Sequence, residues 1–409
     1  MLTALETGMK RTKWHSLMDK VWASDNLAAS ARKVIANGGS AGIDRQNVRQ
    51  FALQEAAQTG KLQRQLKAGA YRPQAVRRVW IPKPGSKELR PLGIPAVRDR
   101  VVQTALRHVI EPIFERDFAP HSYGFRPGRG CKEALGEVDR HIKAGRHWVV
   151  DADLKSYFDT IPHEKLMRQI GGKIADRSVL GLMEAMLKAG VMESGSDWKP
   201  TQTGAPQGAV ISPLLANIYL DPLDWEMARA GREMIRYADD FVILSKSEEE
   251  AKAALEAVKA WVEHNGLELH PEKTRIVDAR AKGGFDFLGY HFERGWKWPR
   301  KKSMDKLKEA IRGKTRRTEG RSLGAIIADL NRTLGGWFEY FKHSNRVTFE
   351  SVDKYTRGRL QSILRRRNGM RGRGCGFDRN RWPKAYFTAQ GLTSLVQAHG
   401  AARQSLQRG

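Results

Sequence analysis

The chain has 409 residues with 40% apolar side chains and 11 Trp, room for two to four cored domains at about 100–200 residues each. Lys and Arg number 72 against 45 acids, a net charge of +27 that favours nucleic acid as partner; a membrane-surface role would call for a basic amphipathic anchor or a lipidation signal, and neither is found. MLTALETGMKRTKWHSLM lacks a signal peptide's apolar core, no apolar run approaches the ~20 residues of a membrane span, and Cys131 and Cys375 form no CxxC pair, which excludes a cysteine-rich zinc module and suggests a reducing compartment.

Residues 1–75 alternate short helical patterns with loops, and VIANGGSAGID (34–44) reads as a turn between helices. VRRVWIPKPGSKELRPLGIP (76–95) predicts a basic β-hairpin with Lys83, Lys87 and Arg90 near its loop. Those cations suit either a solvated loop or a grip on a triphosphate. RDRVVQTALRHVIEPIFE follows with Val102, Leu106, Val109, Ile110 and Ile113 at helical spacing.

HWVVDADLKSYFDTIPHEKLMRQI (147–170) predicts a buried strand leading into a helix, with Asp151 and Asp153 on one strand face. TGAPQGAVISPLLANIYLDPLDWEM (203–227) predicts a glycine-rich turn running into an apolar helix. RYADDFVIL (236–244) then sets Asp239 and Asp240 at the turn of a predicted buried hairpin. Burying a carboxylate is expensive unless something compensates it. A solvated turn would explain the pair, because Asp suits tight reversals. So would a divalent-metal site.

A helix is predicted over 248–264, and GLELHPEKTRIV and FDFLGYHF read as short strands. From 303 onward the pattern is helical. Met304, Leu307 and Ile311 start one helix; Leu323 to Phe341 form a long apolar stripe behind a Ser322 cap; Val352, Tyr355, Ile363 and Leu364 mark a third. RRRNGMRGRG (365–374) reads as a basic, Gly-rich loop or linker.

A strand carrying Asp153 and a hairpin tip carrying Asp239 and Asp240 can gather three carboxylates. Two metal ions held ~3.5–4 Å apart by such a set activate an attacking hydroxyl and stabilise a leaving pyrophosphate. Carboxylate oxygens suit Mg²⁺, and phosphoryl transfer needs mostly positioning and charge neutralisation.

Five blocks stand in order: IPKPGSKELRPLGIP, SYGFRPGRG, VVDADLKSYFDTIPH, GAPQGAVISPLLANIYL and RYADDFVIL, followed by GLELHPEKT and FDFLGY. In these the chain resembles the reverse transcriptases encoded by bacterial group II introns, the intron maturases. The resemblance runs from GGSAGID to RWPKAYF. It implies an α+β right-hand polymerase, with fingers and a palm built on an antiparallel sheet, followed by an α-helical thumb. The implied boundaries are 1–75 for an N-terminal extension and the start of the fingers, and 76–290 for fingers and palm. The thumb, or maturase domain X, takes 291–365, and a short basic DNA-binding-like region takes 366–409.

By position, the resemblance makes Asp153, Asp239 and Asp240 the catalytic metal ligands, assisted by the backbone carbonyl of Leu154. The metal would be two Mg²⁺, with Mn²⁺ as an alternative. Phe158 matches the bulky residue that blocks a ribose 2′-hydroxyl, the one group separating the two nucleotide types. Gln207 and Gly208 match residues at the incoming nucleotide, Lys83 and Arg90 match fingers residues that hold triphosphate, and Lys273 matches a lysine proposed to protonate pyrophosphate. Asp151 either supports the site or caps local structure. The basic cluster Arg300, Lys301, Lys302, Arg312, Lys314, Arg316 and Arg317, with Arg365, Arg366 and Arg367, is expected to grip RNA phosphates.

The function so implied is an RNA-directed DNA polymerase that binds its group II intron RNA, assists splicing and copies RNA into cDNA during intron mobility. Its partners would be intron RNA, target DNA and dNTPs, without a membrane. The expected location is the bacterial cytoplasm, at the nucleoid when on target DNA. Many relatives continue into a zinc-supported HNH endonuclease; no such segment follows here, so zinc and target cleavage by the protein are not expected. Two rival readings stand beside this one: a maturase whose polymerase has decayed, which the intact Asp153, Phe158, Gln207, Asp239 and Asp240 oppose, and a reverse transcriptase domesticated for repair or defence.

Overall fold

Helices come first in the chain. Ser24–Asn37, Val48–Leu53 and Glu55–Lys67 pack with one another and against the long helix Val97–Glu115. Asn47 fixes the start of the second: its side chain accepts from the Gln50 N–H at 2.9 Å, while the Gln50 side chain accepts from the Asn47 N–H at 2.9 Å. The computed structural model describes residues 13–82, 89–193, 197–370 and 376–407. The chain divides into two units, Met1–Ile276 and Val277–Gly409.

In the first unit β1 (Val76–Pro82) and β2 (Leu89–Ile94) form the antiparallel hairpin expected over 76–95, with Arg77 opposite Ile94 and Ile81 opposite Arg90. After β3 (Trp148–Asp153) come β4 (Val191–Glu193), which runs parallel to β1, and β5 (Asp197–Lys199). The sheet order is β2-β1-β4-β5. A second sheet joins β6 (Glu233–Tyr237), β7 (Asp240–Ser245) and β8 (Arg275–Asp278) to β3 in the order β6-β7-β3-β8. The helix Glu248–His264 packs on β3 and β7, while Cys131–Lys143 packs on β6 and β7. Every residue from Phe241 to Ser245 is buried, which explains the continuous apolar run where a one-sided strand would alternate.

In the second unit β9 (Phe285–Phe287), β10 (Tyr290–Glu293) and β11 (Trp296–Pro299) make an antiparallel meander. Helices Lys301–Lys314, Leu323–Phe341 and Arg346–Arg367 follow, with the shorter Gly376–Arg381, Lys384–Ala389 and Leu395–Gln407 after them. Their core holds Ile311, Ile326, Leu330, Leu334, Phe349, Val352, Leu360 and Ile363. The Ser322 side chain accepts from the Ala325 N–H at 3.2 Å, the expected cap.

The class is α+β, as the motif order implies. Two local readings need correction. Arg365, Arg366 and Arg367 form the last turn of a helix, and no loop begins there; residues 371–375 of that segment lie outside the described residues. GLELHPEKTRIV is a strand only at its end: the Lys273 and Thr274 N–H groups both donate back to the His270 carbonyl, and β8 starts at Arg275. Among the described residues no helix is long and apolar enough to cross a membrane.

Candidate active site

The pairing of β3 with β7 sets Asp153 directly opposite Asp240. The pairing of β6 with β7 sets Tyr237 opposite Asp240, leaving a two-residue loop of Ala238 and Asp239. Ala238 sits at φ 60°, the left-handed region that tight hairpins use and that a non-glycine residue adopts at some cost. The loop therefore carries Asp239 beside the Asp153–Asp240 pair.

Asp239 shows what this proximity does. Burial, and then the charge of Asp153, push its carboxyl above the usual carboxylate range; its own backbone N–H, Arg90 and Lys273 pull the other way. The Lys273 ammonium donates to Asp153 Oδ2. Arg275 Nε donates to Asp151 Oδ2 at 3.2 Å, so Asp151 is engaged on the same strand face. The turn bearing Lys273 is tied to the end of β3: the His270 N–H donates to the Asp153 carbonyl at 2.8 Å, and Leu154 bridges Leu269.

Among the described residues no three His, Cys, Asp or Glu groups stand so that they could hold a metal ion as they are. The donor set nevertheless fits a hard divalent cation. It is anionic and oxygen-only, and one member's carboxyl is raised by burial and then by its neighbour's charge, both of which a cation would offset.

Beside the carboxylates, β2 lies against the turn that carries Gln207. Arg90 Nε donates to Gln207 Oε1 at 2.8 Å, and the Gly93 N–H donates to the Gln207 carbonyl at 2.6 Å. Gly208 has φ 103°, and a Cβ there would stand 2.5 Å from the Gly93 carbonyl oxygen. Only glycine fits. Phe158 is buried edge-on against Tyr157, and its carbonyl accepts from the Ala205 N–H at 2.7 Å, just before Gln207. Arg90, Phe158, Gln207 and Gly208 are thus linked through one strand and one turn. Lys83 lies outside the described residues.

Residues that sequence reading passed over lie beneath the hairpin. Arg236 of β6 and Asp224 are each 1% exposed. Arg236 Nε donates to Asp224 Oδ1 at 2.7 Å, and Nη1 donates to Asn217 Oδ1 at 3.1 Å and to the Ala238 carbonyl at 2.9 Å. Asn217 in turn donates to the Gly124 carbonyl at 2.8 Å. The SYGFRPGRG loop holding Gly124 is sewn by buried Arg126, whose Nη1 donates to the carbonyls of Ala119 at 2.6 Å and Ser122 at 2.8 Å. A signal was available: an arginine inside the otherwise apolar MIRY strand, and two polar residues seven apart on an apolar helix.

The cations of the second unit divide into two groups. Lys314 pairs with Asp329 at 2.6 Å, Arg317 donates to Ser362 Oγ at 2.7 Å, Arg365 binds both Asp378 oxygens at 3.0 Å, and Arg367 donates to the Glu319 carbonyl at 3.1 Å. These hold the unit's own structure. Arg312, Arg316 and Arg366 are exposed, as are Arg317 and Arg367 beside their partners.

Comparison with known proteins supplies the family. The family described as reverse transcriptase (RNA-dependent DNA polymerase) matches residues 81–292, and the group II intron, maturase-specific domain matches residues 304–379. Protein YkfC of Escherichia coli (strain K12) is 35% identical over 314 residues, covering 66% of this chain and 80% of that protein. Group II intron-encoded protein LtrA of Lactococcus lactis subsp. cremoris is 46% identical over 164 residues, 40% of this chain and 27% of LtrA. The putative COX1/OXI3 intron 1 protein of Saccharomyces cerevisiae is 27% identical over 363 residues, 74% of this chain and 43% of that protein. The match thus spans most of YkfC and less than half of the other two.

Proposed function

The chain belongs to the reverse transcriptase family of RNA-dependent DNA polymerases and carries a group II intron maturase-specific domain, and from that premise we propose that it binds a group II intron RNA, assists its splicing and copies it into cDNA at a DNA target. The observation that carries the polymerase reading is Asp153 opposite Asp240 with Asp239 in the adjoining loop.

Asp153, Asp239 and Asp240, with the Leu154 carbonyl, are the groups that would hold two divalent ions, Mg²⁺ or in its place Mn²⁺. Bound there, such ions acidify the primer 3′-hydroxyl and neutralise charge on the triphosphate. Arg90 and Lys83 grip the triphosphate. Gln207, its Oε1 occupied by Arg90, is left to present its amide N–H groups to the incoming nucleotide. Phe158 excludes a 2′-hydroxyl by volume. Lys273, which donates to Asp153 Oδ2, gives a proton to departing pyrophosphate. Exposed Arg312, Arg316 and Arg366 contact RNA phosphates, and the setting is a bacterial cytoplasm.

The test is to purify the protein from its host, sequence the RNA that copurifies, and return that RNA as template with an annealed DNA primer, dNTPs and Mg²⁺. One abundant structured intron RNA, and its cDNA, are expected. A heterogeneous RNA population would overturn the intron assignment, and failure to extend any primer would overturn the polymerase.

A further inference from the structure

A buried ion pair is a poor way to stabilise a fold, because removing both charges from water costs about as much as their attraction returns. Arg236 and Asp224 nevertheless sit at the centre of the first unit, and the guanidinium does more than meet the carboxylate. Its Nη1 reaches Asn217 and, on the same strand's far side of the turn, the carbonyl of Ala238. Ala238 is the left-handed residue of the two-residue loop. The opposite side of the loop is closed by Gly124, where a Cβ would stand 2.4 Å from the Ala238 nitrogen and 2.9 Å from the Tyr237 carbonyl carbon. Asn217 ties these two sides together, since it accepts from Arg236 and donates to the Gly124 carbonyl. The loop is gripped between an arginine and a glycine that share one asparagine.

Asp239 and Asp240 follow directly, one and two peptide planes on. A change of a few tens of degrees at Ala238 would swing Asp239 off the Asp153–Asp240 pair while leaving the β6–β7 ladder intact. We propose that Arg236 is a positioning residue for the carboxylates: through the Ala238 carbonyl, backed by Asp224, Asn217 and Gly124, it fixes the loop geometry that sets divalent-cation affinity. This rests on the metal reading above. It adds that the affinity is set from beneath the hairpin by a group that touches neither metal nor nucleotide, as the partners of metal ligands commonly do.

The experiment measures Mn²⁺ binding to the full chain by electron paramagnetic resonance, without nucleotide, beside a thermal melt of each variant. Asp239→Asn calibrates it. Asn217→Ala leaves the Arg236–Asp224 pair in place and removes the tie; Gly124→Ala pushes the loop from outside; Arg236→Lys keeps a charge but cannot span Asp224 and Ala238 together. Each folded variant is expected to bind Mn²⁺ about tenfold or more weakly. Primer extension by the same variants is expected to show a raised KM for Mn²⁺ with kcat largely restored at saturation, a split that general loosening of the fold would not give. Should Arg236→Lys fail to fold, the other two decide. Native affinity in folded Asn217→Ala and Gly124→Ala would overturn the proposal while the metal reading stands. Native protein without any Mn²⁺ binding that Asp239→Asn removes would overturn both.

Discussion

Under the hairpin that carries Asp239 and Asp240, Arg236 and Asp224 are each 1% exposed and their hydrogen bonds end on Asn217 and the Ala238 carbonyl. In the second unit Asp329, 16% exposed, collects Lys314, Arg321 and Arg332 around one carboxylate at the rim of an apolar helical core. The buried charges have one arrangement, because each donor left unpaired there would carry its full desolvation penalty. The rim charges are interchangeable, since water or a phosphate can replace any partner at little loss. The pair under the hairpin uses charge to fix a shape; the charges at the Asp329 rim stay within reach of a polyanion.

The contrast can be broken by removing one aspartate from each side. Asp224→Ala leaves the Arg236 guanidinium buried without its partner and is expected to destabilise the chain by about 3–5 kcal/mol. Asp329→Ala is expected to change stability far less, because its cationic partners meet it at the solvent rim. Urea unfolding of both variants checks the pair, and equal losses would erase the distinction. Phe158→Ala comes next. Phe158 belongs to the main core, so the truncation is expected to cost about 3 kcal/mol. Below the lowered melting temperature it should admit rNTPs more readily with modest harm to dNTP use. Unchanged dNTP-over-rNTP selectivity in primer extension would leave Phe158 a packing residue only.

How far these differences are legible in the sequence follows from where each partner lies. The hairpin with Asp239 and Asp240 is readable because two charges interrupt an apolar run, and the strand with Asp153 because Val149 and Val150 precede it. The Gly208 approach follows from a glycine in a turn. The sequence signals Arg236, Asn217 and Asp224 as buried polar groups but not that they brace the loop, because Gly124 is more than 90 residues away from its partner Asn217 in the chain. The same distance misleads for the second unit. Lys314, Arg317, Arg365 and Arg367 look like free phosphate grips, yet their partners Asp329, Ser362, Asp378 and the Glu319 carbonyl lie 15, 45, 13 and 48 residues off. Local charge density was visible, but not which charges the fold consumes.

That division sharpens the expectation for RNA. Replacing Arg312, Arg316 and Arg366 by Ala is expected to lower the log–log salt dependence of RNA binding by about 2–3, at roughly 0.7–0.9 for each phosphate contact, with the melting temperature unchanged. Replacing Arg317 and Arg365, whose partners Ser362 and Asp378 are buried, should instead lower the melting temperature. Affinity across a salt series, with melts alongside, separates the two sets. The smallest effect concerns Asp239. Its carboxyl is held above its unfolded value, so its ionisation weakens the fold at neutral pH, and the penalty fades as pH falls through that raised value and is gone below the ordinary carboxylate range. Asp239→Asn is therefore expected to melt slightly higher than native at pH 7, with the gain lost in acid. A lower melting point at pH 7 would contradict the sign.

The account stands on catalysis being confined to the hairpin of the first unit. The most direct measurement is the rate of dNTP incorporation on a pre-annealed RNA template at saturating concentration, for Asp239→Asn and for the Arg312, Arg316 and Arg366 triple variant, both shown to be folded. The rate is predicted to fall by roughly 10²–10³-fold or more in the first and to stay near native in the second. Near-native incorporation by Asp239→Asn would contradict the account.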